Sequence, residues 1–123
     1  MRLLDTSSWM ETLVKSELGQ RLQREILPSE TCIVPTLVQF ELYKWLARKT
    51  SAEDAERVIA FTMTCAVVGL DPAIAIRAAE ESLTHSLHTS DAIIYATALA
   101  TDATLITCDA HFEGLSQVAY FKK

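Results

Sequence analysis

Short apolar runs that alternate with longer helical segments constrain the fold of this chain most strongly. The apolar runs are predicted as strands, at residues 2–5, 32–34, 66–70, 104–107 and 118–121. The segments between them have helical periodicity and are predicted as helices, beginning near Trp9 and covering residues 17–27, 35–48, 51–65, 71–86 and 92–100. Strands separated by helices return to one sheet in parallel. The sequence therefore predicts an α/β protein, a three-layer α/β/α sandwich with a central, mainly parallel sheet.

Composition indicates one globular domain spanning residues 1–123. The chain is 50% hydrophobic and 22% charged, which is ordinary for a globular protein. Its longest apolar runs are far shorter than the roughly 20 residues of a membrane span, so we expect a cytoplasmic location. The three cysteines, Cys32, Cys65 and Cys108, have no metal-binding spacing. They are interpreted as small buried hydrophobic residues.

Four acidic residues occupy special positions in these elements. Asp5 and Asp109 directly follow predicted strands, and Asp91 lies in the first turn of a predicted helix. Ligands bind beyond the carboxyl ends of strands in open α/β sheets, so these acids are expected to converge. Glu41 lies beside the apolar stripe of its helix, where a carboxylate should not stay unpaired.

Hydroxyl side chains are the predicted caps for two of these helices. Thr6, Ser7 or Ser8 should cap the helix that begins near Trp9. Thr89 and Ser90 should play the same part for the alanine-rich helix that contains Asp91, which would fix this carboxylate at a helix start.

Several carboxylates in one cleft repel each other, so a compensating cation is expected. Oxygen ligands with water suit Mg²⁺ or Mn²⁺, and such ions support phosphodiester hydrolysis. The net charge of −5 argues at first against a nucleic acid partner. If four of the acids bind a metal ion, the rest of the chain carries a net charge of only −1, so a nucleic acid partner stays possible. Taken singly, Asp91 also fits an ordinary helix start, and Asp5 and Asp109 fit ordinary turns or caps. Glu41 would be an ordinary surface residue only if its helical face were displaced by one residue.

The order and spacing of four segments resemble the PIN-domain family and, within it, the VapC-type toxins of toxin–antitoxin pairs. These segments are LLDTSSWME, VQFELYKWL, SDAIIYATALA and LITCDAHF. The resemblance implies an endoribonuclease that depends on Mg²⁺ or Mn²⁺. It also implies an RNA substrate, a VapB-like antitoxin, a homodimer and contact with operator DNA only through the antitoxin.

The same resemblance implies a set of site residues. Asp5, Glu41, Asp91 and Asp109 would form the acidic quartet, with Asp5 and Asp91 as the principal metal ligands. Thr107 would be the hydroxyl residue before the last acid.

Two positions add detail to this resemblance. Cys108 stands where the family often has a basic or polar residue, which puts an extra phosphate contact there in doubt. His111 occupies a variable position.

Other residues allow other interpretations. His85 and His88 are spaced as zinc ligands can be, but no cysteine or third histidine is expected nearby, so solvated or RNA-contacting histidines are preferred. Phe40 and Trp45 are interpreted as core residues rather than stacking platforms. Exposed bases are candidates for a phosphate-contacting rim, namely Arg21, Arg24, Lys44, Arg48 and Lys49.

Two other function classes remain. A phosphoacceptor signalling domain would need paired acids after the first strand and a later strand-end lysine, but Asp5 stands alone. A catalytically silent PIN-like RNA-binding module would keep the fold without cleavage.

Overall fold

The computed structural model describes residues 1–123 and contains a five-stranded parallel sheet in the order β3-β2-β1-β4-β5. The strands are β1 (Arg2–Leu4), β2 (Cys32–Pro35), β3 (Ala66–Val68), β4 (Thr104–Thr107) and β5 (Val118–Tyr120). The helices are α1 (Thr6–Leu13), α2 (Glu17–Gln23), α3 (Thr36–Lys49), α4 (Ala52–Thr62), α5 (Pro72–His85) and α6 (Thr89–Ala100). The predicted α/β class and its central parallel sheet are confirmed.

The centre of the sheet is β1, which pairs with β2 on one side and β4 on the other. Leu3 is the register partner of both Ile33 and Leu105. These central residues are buried, as expected for parallel strands covered by helices on both faces. The chain adds β2 and β3 on one side of β1 before β4 and β5 are added on the other. The strand order therefore reverses between β1 and β4.

The helices pack in pairs, α1 on α2, α3 on α4 and α5 on α6. One cluster of 23 buried hydrophobic residues joins them to the sheet. Helix α6 contributes most heavily, because Ile94, Tyr95 and Ala96 are all buried. Its alanine-rich sequence lets the helix approach the sheet closely, which also places its first turn near the strand ends.

The predicted caps of two helices are wrong. Helix α1 begins at Thr6 and is capped by Asp5, whose carboxylate accepts from the backbone N–H of Ser8. The strand leads straight into the helix, so the residue between them is the one with capping geometry. Helix α6 begins at Thr89 after His88, and no side chain caps it. The predicted caps at Ser51 and Asp71 do form.

Several predicted boundaries were too long. Helix α2 ends at Gln23 rather than at residue 27, and Glu25 and Ile26 form tighter turn hydrogen bonds to Leu22 and Gln23. A residue that precedes proline is disfavoured in helical geometry, which excludes Leu27 from the helix. Strand β3 ends at Val68 rather than residue 70, and α4 covers Ala52–Thr62 rather than residues 51–65.

The interpretation of Phe40 as a core residue is wrong. The buried stripe of α3 is Val38, Leu42 and Leu46, at intervals of four residues. Phe40 lies about 200° around the helix from Val38, and its side chain is 62% exposed. Trp45 lies at the margin of the stripe and is half-buried.

The cysteines are buried and unpaired, as predicted. Burial raises the pKa of Cys32 to about 12, with a further contribution from Cys65. None of the helices combines the length and the apolar character that crossing a membrane requires.

Candidate metal centre

The topology brings Asp5 and Asp109 to the same edge of the sheet. Asp5 follows β1 and Asp109 follows β4, the neighbouring parallel strands between which the strand order reverses. Such a reversal opens a crevice at the carboxyl ends of the strands, where ligands bind in open α/β sheets. The predicted convergence of these positions therefore has a topological cause.

Asp5 is held in place by its hydrogen bonds. One carboxylate oxygen accepts from the Ser8 backbone N–H at 3.0 Å, and the other accepts from Thr107 Oγ1 at 2.6 Å. Burial raises the pKa of Asp5, the hydrogen bonds from Ser8 and Thr107 lower it, and the charge of Asp109 raises it further. The result is a pKa above the ordinary value, because desolvation outweighs the hydrogen bonds.

Thr107 joins Asp5 to Asp109. Its hydroxyl donates to Asp5 Oδ2 and accepts from the Asp109 backbone N–H at 3.0 Å. Asp109 in turn caps a short 3₁₀ turn, Ala110–Phe112, by accepting from the His111 backbone N–H at 2.9 Å. The side chains after β1 and β4 are therefore connected by one continuous set of hydrogen bonds.

Asp91 reaches this group from the first turn of α6. Burial raises its pKa, and the charges of Asp109 and Asp5 raise it further, while His111 and His88 lower it. Asp91, Asp109 and His111 each offer one donor atom, and these atoms all lie within 4.8 Å of one another. Two acids from different elements therefore lie at the spacing that one metal ion could bridge.

Glu41 lies apart from this cluster. Its carboxylate accepts a hydrogen bond from Thr6 Oγ1, so it is linked to the residue that follows Asp5 rather than to another acid. The structure brings Asp91, Asp109 and His111 together, with Asp5 beside them, and places Glu41 at the margin. The Thr6 hydroxyl is therefore the hydrogen-bond partner that a carboxylate beside the apolar stripe of α3 needs.

No lysine or arginine forms an ion pair with Asp5, Asp91 or Asp109. Their only basic neighbour within ion-pair distance is His111, whose Nδ1 lies 3.2 Å from Asp109 Oδ1. Burial is the largest cause of the raised pKa values of Asp5 and Asp91, and the charges of neighbouring acids add to it. The donor set therefore fits a divalent cation, and the sheet and cluster together define an α/β domain with a candidate cation centre.

Two residues near the site differ from their sequence interpretation. His88 was expected to lack a third histidine nearby, but its ring lies 6.3 Å from that of His111. His85 contacts Glu81 at 3.3 Å and lines the same small cavity as His88, Asp91 and His111. The proximity of His88 and His111 was missed because it depends on how closely the start of α6 approaches the end of β4, which no local pattern encodes.

Cys108 does not face the crevice. It is buried, and its sulfur lies 4.0 Å from Ser8 Oγ. Burial raises its pKa, and Asp5 adds to that shift. This side chain is therefore part of the packing behind the site.

A basic groove of about 440 Å³ begins at Glu41 and follows the outer face of α3. It is lined by Phe40, Glu41, Lys44, Trp45, Arg48 and Lys49. The ammonium of Lys44 lies 5.9 Å from the centre of the exposed Phe40 ring. The other candidate bases lie elsewhere, since Arg21 packs over Phe121 and Arg24 lines a separate groove.

That separate groove has a volume of about 680 Å³, and none of its lining residues belongs to the acidic cluster. It lies between α1, α2 and α4, and its apolar lining includes Trp9, Leu27 and Phe61. The Nε1 of Trp9 is buried and has no hydrogen-bond partner.

Residues 2–117 match the sequence model of the PIN domain, and the chain therefore belongs to the PIN-domain family. A comparison with curated protein sequences finds no significant match.

Solved structures share the fold at low sequence identity. A chain of a toxin–antitoxin complex from Klebsiella pneumoniae is 21% identical with a TM-score of 0.85, and 100% of each chain is covered. The Mycobacterium tuberculosis toxin VapC20, described as cleaving the sarcin–ricin loop, is 17% identical with a TM-score of 0.71 over 94% of this chain and 92% of that one. DNA-bound VapBC from Salmonella typhimurium is 19% identical with a TM-score of 0.73 over 98% of this chain and 96% of that one.

Proposed function

We propose that this protein is a VapC-type endoribonuclease that hydrolyses RNA phosphodiester bonds with Mg²⁺ or Mn²⁺. The observation that carries the proposal is the convergence of Asp5, Asp91 and Asp109 at the strand-order reversal of a PIN fold, without a lysine or arginine partner. The whole chain, residues 1–123, would act as one nuclease domain.

The residues have distinct proposed roles. Asp5 and Asp91 are the principal metal ligands, and Asp109 completes the site from the neighbouring strand end. Thr107 orients Asp5 through its 2.6 Å hydrogen bond. Glu41 lies at the margin of the site, where it accepts from Thr6 and would orient the attacking water. A bound divalent cation would supply an activated water and stabilise the charge that develops on the phosphate.

The choice of inactivating variant follows from the hydrogen bonds. Asp5→Asn would lose activity but would also replace the oxygen that accepts from Thr107 with an amide donor. Asp91 makes no side-chain hydrogen bond of this kind, so Asp91→Asn removes the charge with little structural cost. A matched control is Asp102→Asn, because Asp102 is exposed and has a φ of 56°, a conformation that asparagine tolerates.

The test is cleavage of structured and unstructured RNA by purified proteins with Mg²⁺, Mn²⁺ or EDTA. We expect wild type and Asp102→Asn to cleave only with metal and Asp91→Asn to lose cleavage while remaining folded. Cleavage by Asp91→Asn at the wild-type rate would refute the site assignment. Metal and RNA binding by wild type without cleavage would favour the catalytically silent module.

The groove along α3 supports RNA as the substrate. It joins Glu41 to three bases that form no ion pair, Lys44, Arg48 and Lys49, and it exposes the Phe40 ring. Bases that follow a backbone together with an exposed aromatic ring are the usual elements of single-strand binding. We propose that RNA leaves the cleavage site along this face.

RNA binding to the Asp91→Asn background tests this path. Base stacking on an aromatic side chain contributes about 1–3 kcal/mol, so Phe40→Ala should weaken binding roughly fivefold or more. Lys44→Ala should reduce the slope of log K against log salt by about 0.7. The control is Tyr43→Ala, which removes an exposed ring outside the groove. Equal affinities for Phe40→Ala and Tyr43→Ala would place the RNA elsewhere.

We also propose that a VapB-like antitoxin inhibits the protein by inserting an amphipathic helix into the groove between α1, α2 and α4. Two features support that occupant: an apolar lining and Arg24 at the rim. The helix would present apolar side chains to Phe61 and an acidic side chain to Arg24. Operator DNA would be contacted only through the antitoxin.

Co-expression with the protein of a neighbouring gene tests this partner. Expression of the wild type alone should arrest growth, and the partner should rescue it. Leu27→Asp and Phe61→Asp place a charge on exposed groove residues and should abolish co-purification. Leu83→Asp is the control, because Leu83 is 87% exposed on α5 and lies outside the groove. Wild-type recovery of the partner by both groove variants would refute this docking site.

Family resemblance further supports a homodimer and a cytoplasmic location. Sedimentation equilibrium of the purified protein measures the first, and a monomer at all concentrations would refute it. Fractionation of expressing cells measures the second.

A further inference from the structure

His111 is the one nitrogen donor in the acidic cluster. It lies in the 3₁₀ turn that follows β4, and the backbone hydrogen bond from its N–H to Asp109 Oδ1 fixes where this turn begins. Its ring is directed towards the acids, since Nδ1 lies 3.2 Å from Asp109 Oδ1 although the side chain is 68% exposed. An exposed ring that is free to face the solvent instead faces two carboxylates.

The distances in this cluster fit one metal ion. Bonds from zinc-like ions to nitrogen and oxygen are about 2.0–2.2 Å, so two ligands of one ion lie at most about 4.4 Å apart. Donor atoms of Asp91, Asp109 and His111 are all within 4.8 Å of one another. Small rotations of partly exposed side chains therefore bring the three donors to bonding distance without movement of the backbone.

The ring of His111 contacts the Asp109 carboxylate and lies beside the ring of His88. His88, at 6.3 Å between ring centres, is the residue before α6 and forms no capping bond. A cavity of about 210 Å³ separates these residues and is lined by His85, Ser86, Leu87, His88, Asp91 and His111. Space for an ion and its waters therefore exists directly beside the imidazole.

We propose that His111 ligates the metal through nitrogen, so that the site formed with Asp91 and Asp109 prefers transition ions to Mg²⁺. The proposal rests on the proposed metal centre and adds a ligand that the acidic quartet does not contain. Carboxylate and water ligands suit Mg²⁺ and Mn²⁺, whereas imidazole suits ions such as Co²⁺, Ni²⁺ and Zn²⁺. The nitrogen donor therefore changes which ion the protein selects, and the carboxylates alone would not make that selection.

Metal affinity measured by calorimetry tests the selectivity. The proteins are wild type, His111→Gln, Asp91→Asn and the control Asp102→Asn, whose exposed side chain lies outside the cluster and its cavity. His111→Gln keeps a side chain of similar length with an oxygen donor. We expect it to bind Mg²⁺ as wild type does and to bind Co²⁺ at least about tenfold more weakly, as loss of a metal-supporting group typically does. Asp102→Asn should match wild type for both ions.

Pulsed electron paramagnetic resonance of the Cu²⁺-loaded proteins tests the bond itself, because imidazole suits Cu²⁺. Modulation from a directly coordinated imidazole nitrogen should be present in wild type and Asp102→Asn and absent in His111→Gln. If wild type shows no nitrogen modulation, or His111→Gln keeps the wild-type preference for Co²⁺, His111 is not a ligand and the inference is overturned.

The Asp91→Asn protein separates this failure from failure of the metal centre. Loss of all metal binding in Asp91→Asn together with unchanged selectivity in His111→Gln would retain the acidic site and remove only His111. Unchanged binding in Asp91→Asn would instead show that the metal centre was placed wrongly, and both proposals would fall.

Discussion

Replacing Thr107 with valine tests how the acidic site is built into the fold. Thr107 is fully buried, donates to Asp5 Oδ2 at 2.6 Å and accepts from the Asp109 N–H at 3.0 Å. Valine keeps the shape and the β-branching that suit β4, but it has no hydroxyl. Thr107→Val therefore removes two hydrogen bonds with almost no change in packing.

The expected loss of stability is about 2–4 kcal/mol. A hydrogen bond to a charged group contributes about 1.5–3 kcal/mol, and Asp5 is buried, so water cannot replace the lost donor. The Asp109 N–H adds less, because that residue is only half-buried and water can reach it. The carboxylate of Asp5 also becomes harder to ionise, since the Thr107 hydrogen bond lowers its pKa in the wild type.

Thr107→Ser is the matched control, because serine keeps the hydroxyl and loses one methyl group. Its cost should be about 0.5–1.5 kcal/mol, as for other single-methyl deletions in a core. Urea unfolding in EDTA at pH 7 measures both variants, with titration of Mn²⁺ as a second readout. If Thr107→Val is no less stable than Thr107→Ser, the hydroxyl does not support Asp5 and the reasoning fails.

Three further predictions concern other parts of the molecule. The pKa of Asp91 is higher in the folded metal-free protein than in the unfolded chain, where it is near 4. The protonated side chain therefore favours the folded state below about pH 4, and this contribution to stability is lost as the pH rises through the folded-state pKa. Thermal unfolding in EDTA should therefore show Asp91→Asn more stable than wild type at pH 7, with the difference closing near pH 4; a pH-independent difference would contradict this. Cys32, with a pKa of about 12, should resist alkylation at pH 8 in the folded protein and react in urea, as mass spectrometry would show. Asp71→Ala removes the cap of α5 and should cost about 1 kcal/mol in urea unfolding, whereas an unchanged midpoint would mean the cap is dispensable.

The fold and the positions of the acids were predictable because they depend on local pattern and topology. Short apolar runs between helices force parallel pairing, and β4 (Thr104–Thr107) was predicted with its observed bounds. Once β1 and β4 are neighbours, residues that follow them must meet at one edge. Asp5 and Asp109 therefore could be placed together without any structural information.

The remaining features depend on tertiary packing and on which of several suitable residues takes a position, and the sequence alone does not decide these. Asp5 directly follows β1 and caps α1, although the three hydroxyl residues after it were equally suitable caps by sequence. The exposure of Phe40 was missed because its hydrophobicity suggested the core, although its helical angle from Val38 excludes it. His111 was missed because its approach to Asp91 depends on how α6 docks against the end of β4.

Charge at the site links stability, metal binding and regulation. Asp5 and Asp91 have raised pKa values because burial and mutual repulsion disfavour their ionised forms. An ion that binds the folded protein stabilises it by RT ln(1 + [L]/Kd), and it does so only when these ligands are deprotonated. Stabilisation by metal is therefore strongest at pH values where the acids are ionised and repel each other in the metal-free protein. The same repulsion makes the site receptive to a cationic side chain, since an arginine or lysine from a partner would relieve it as a metal does and would compete for the same carboxylates.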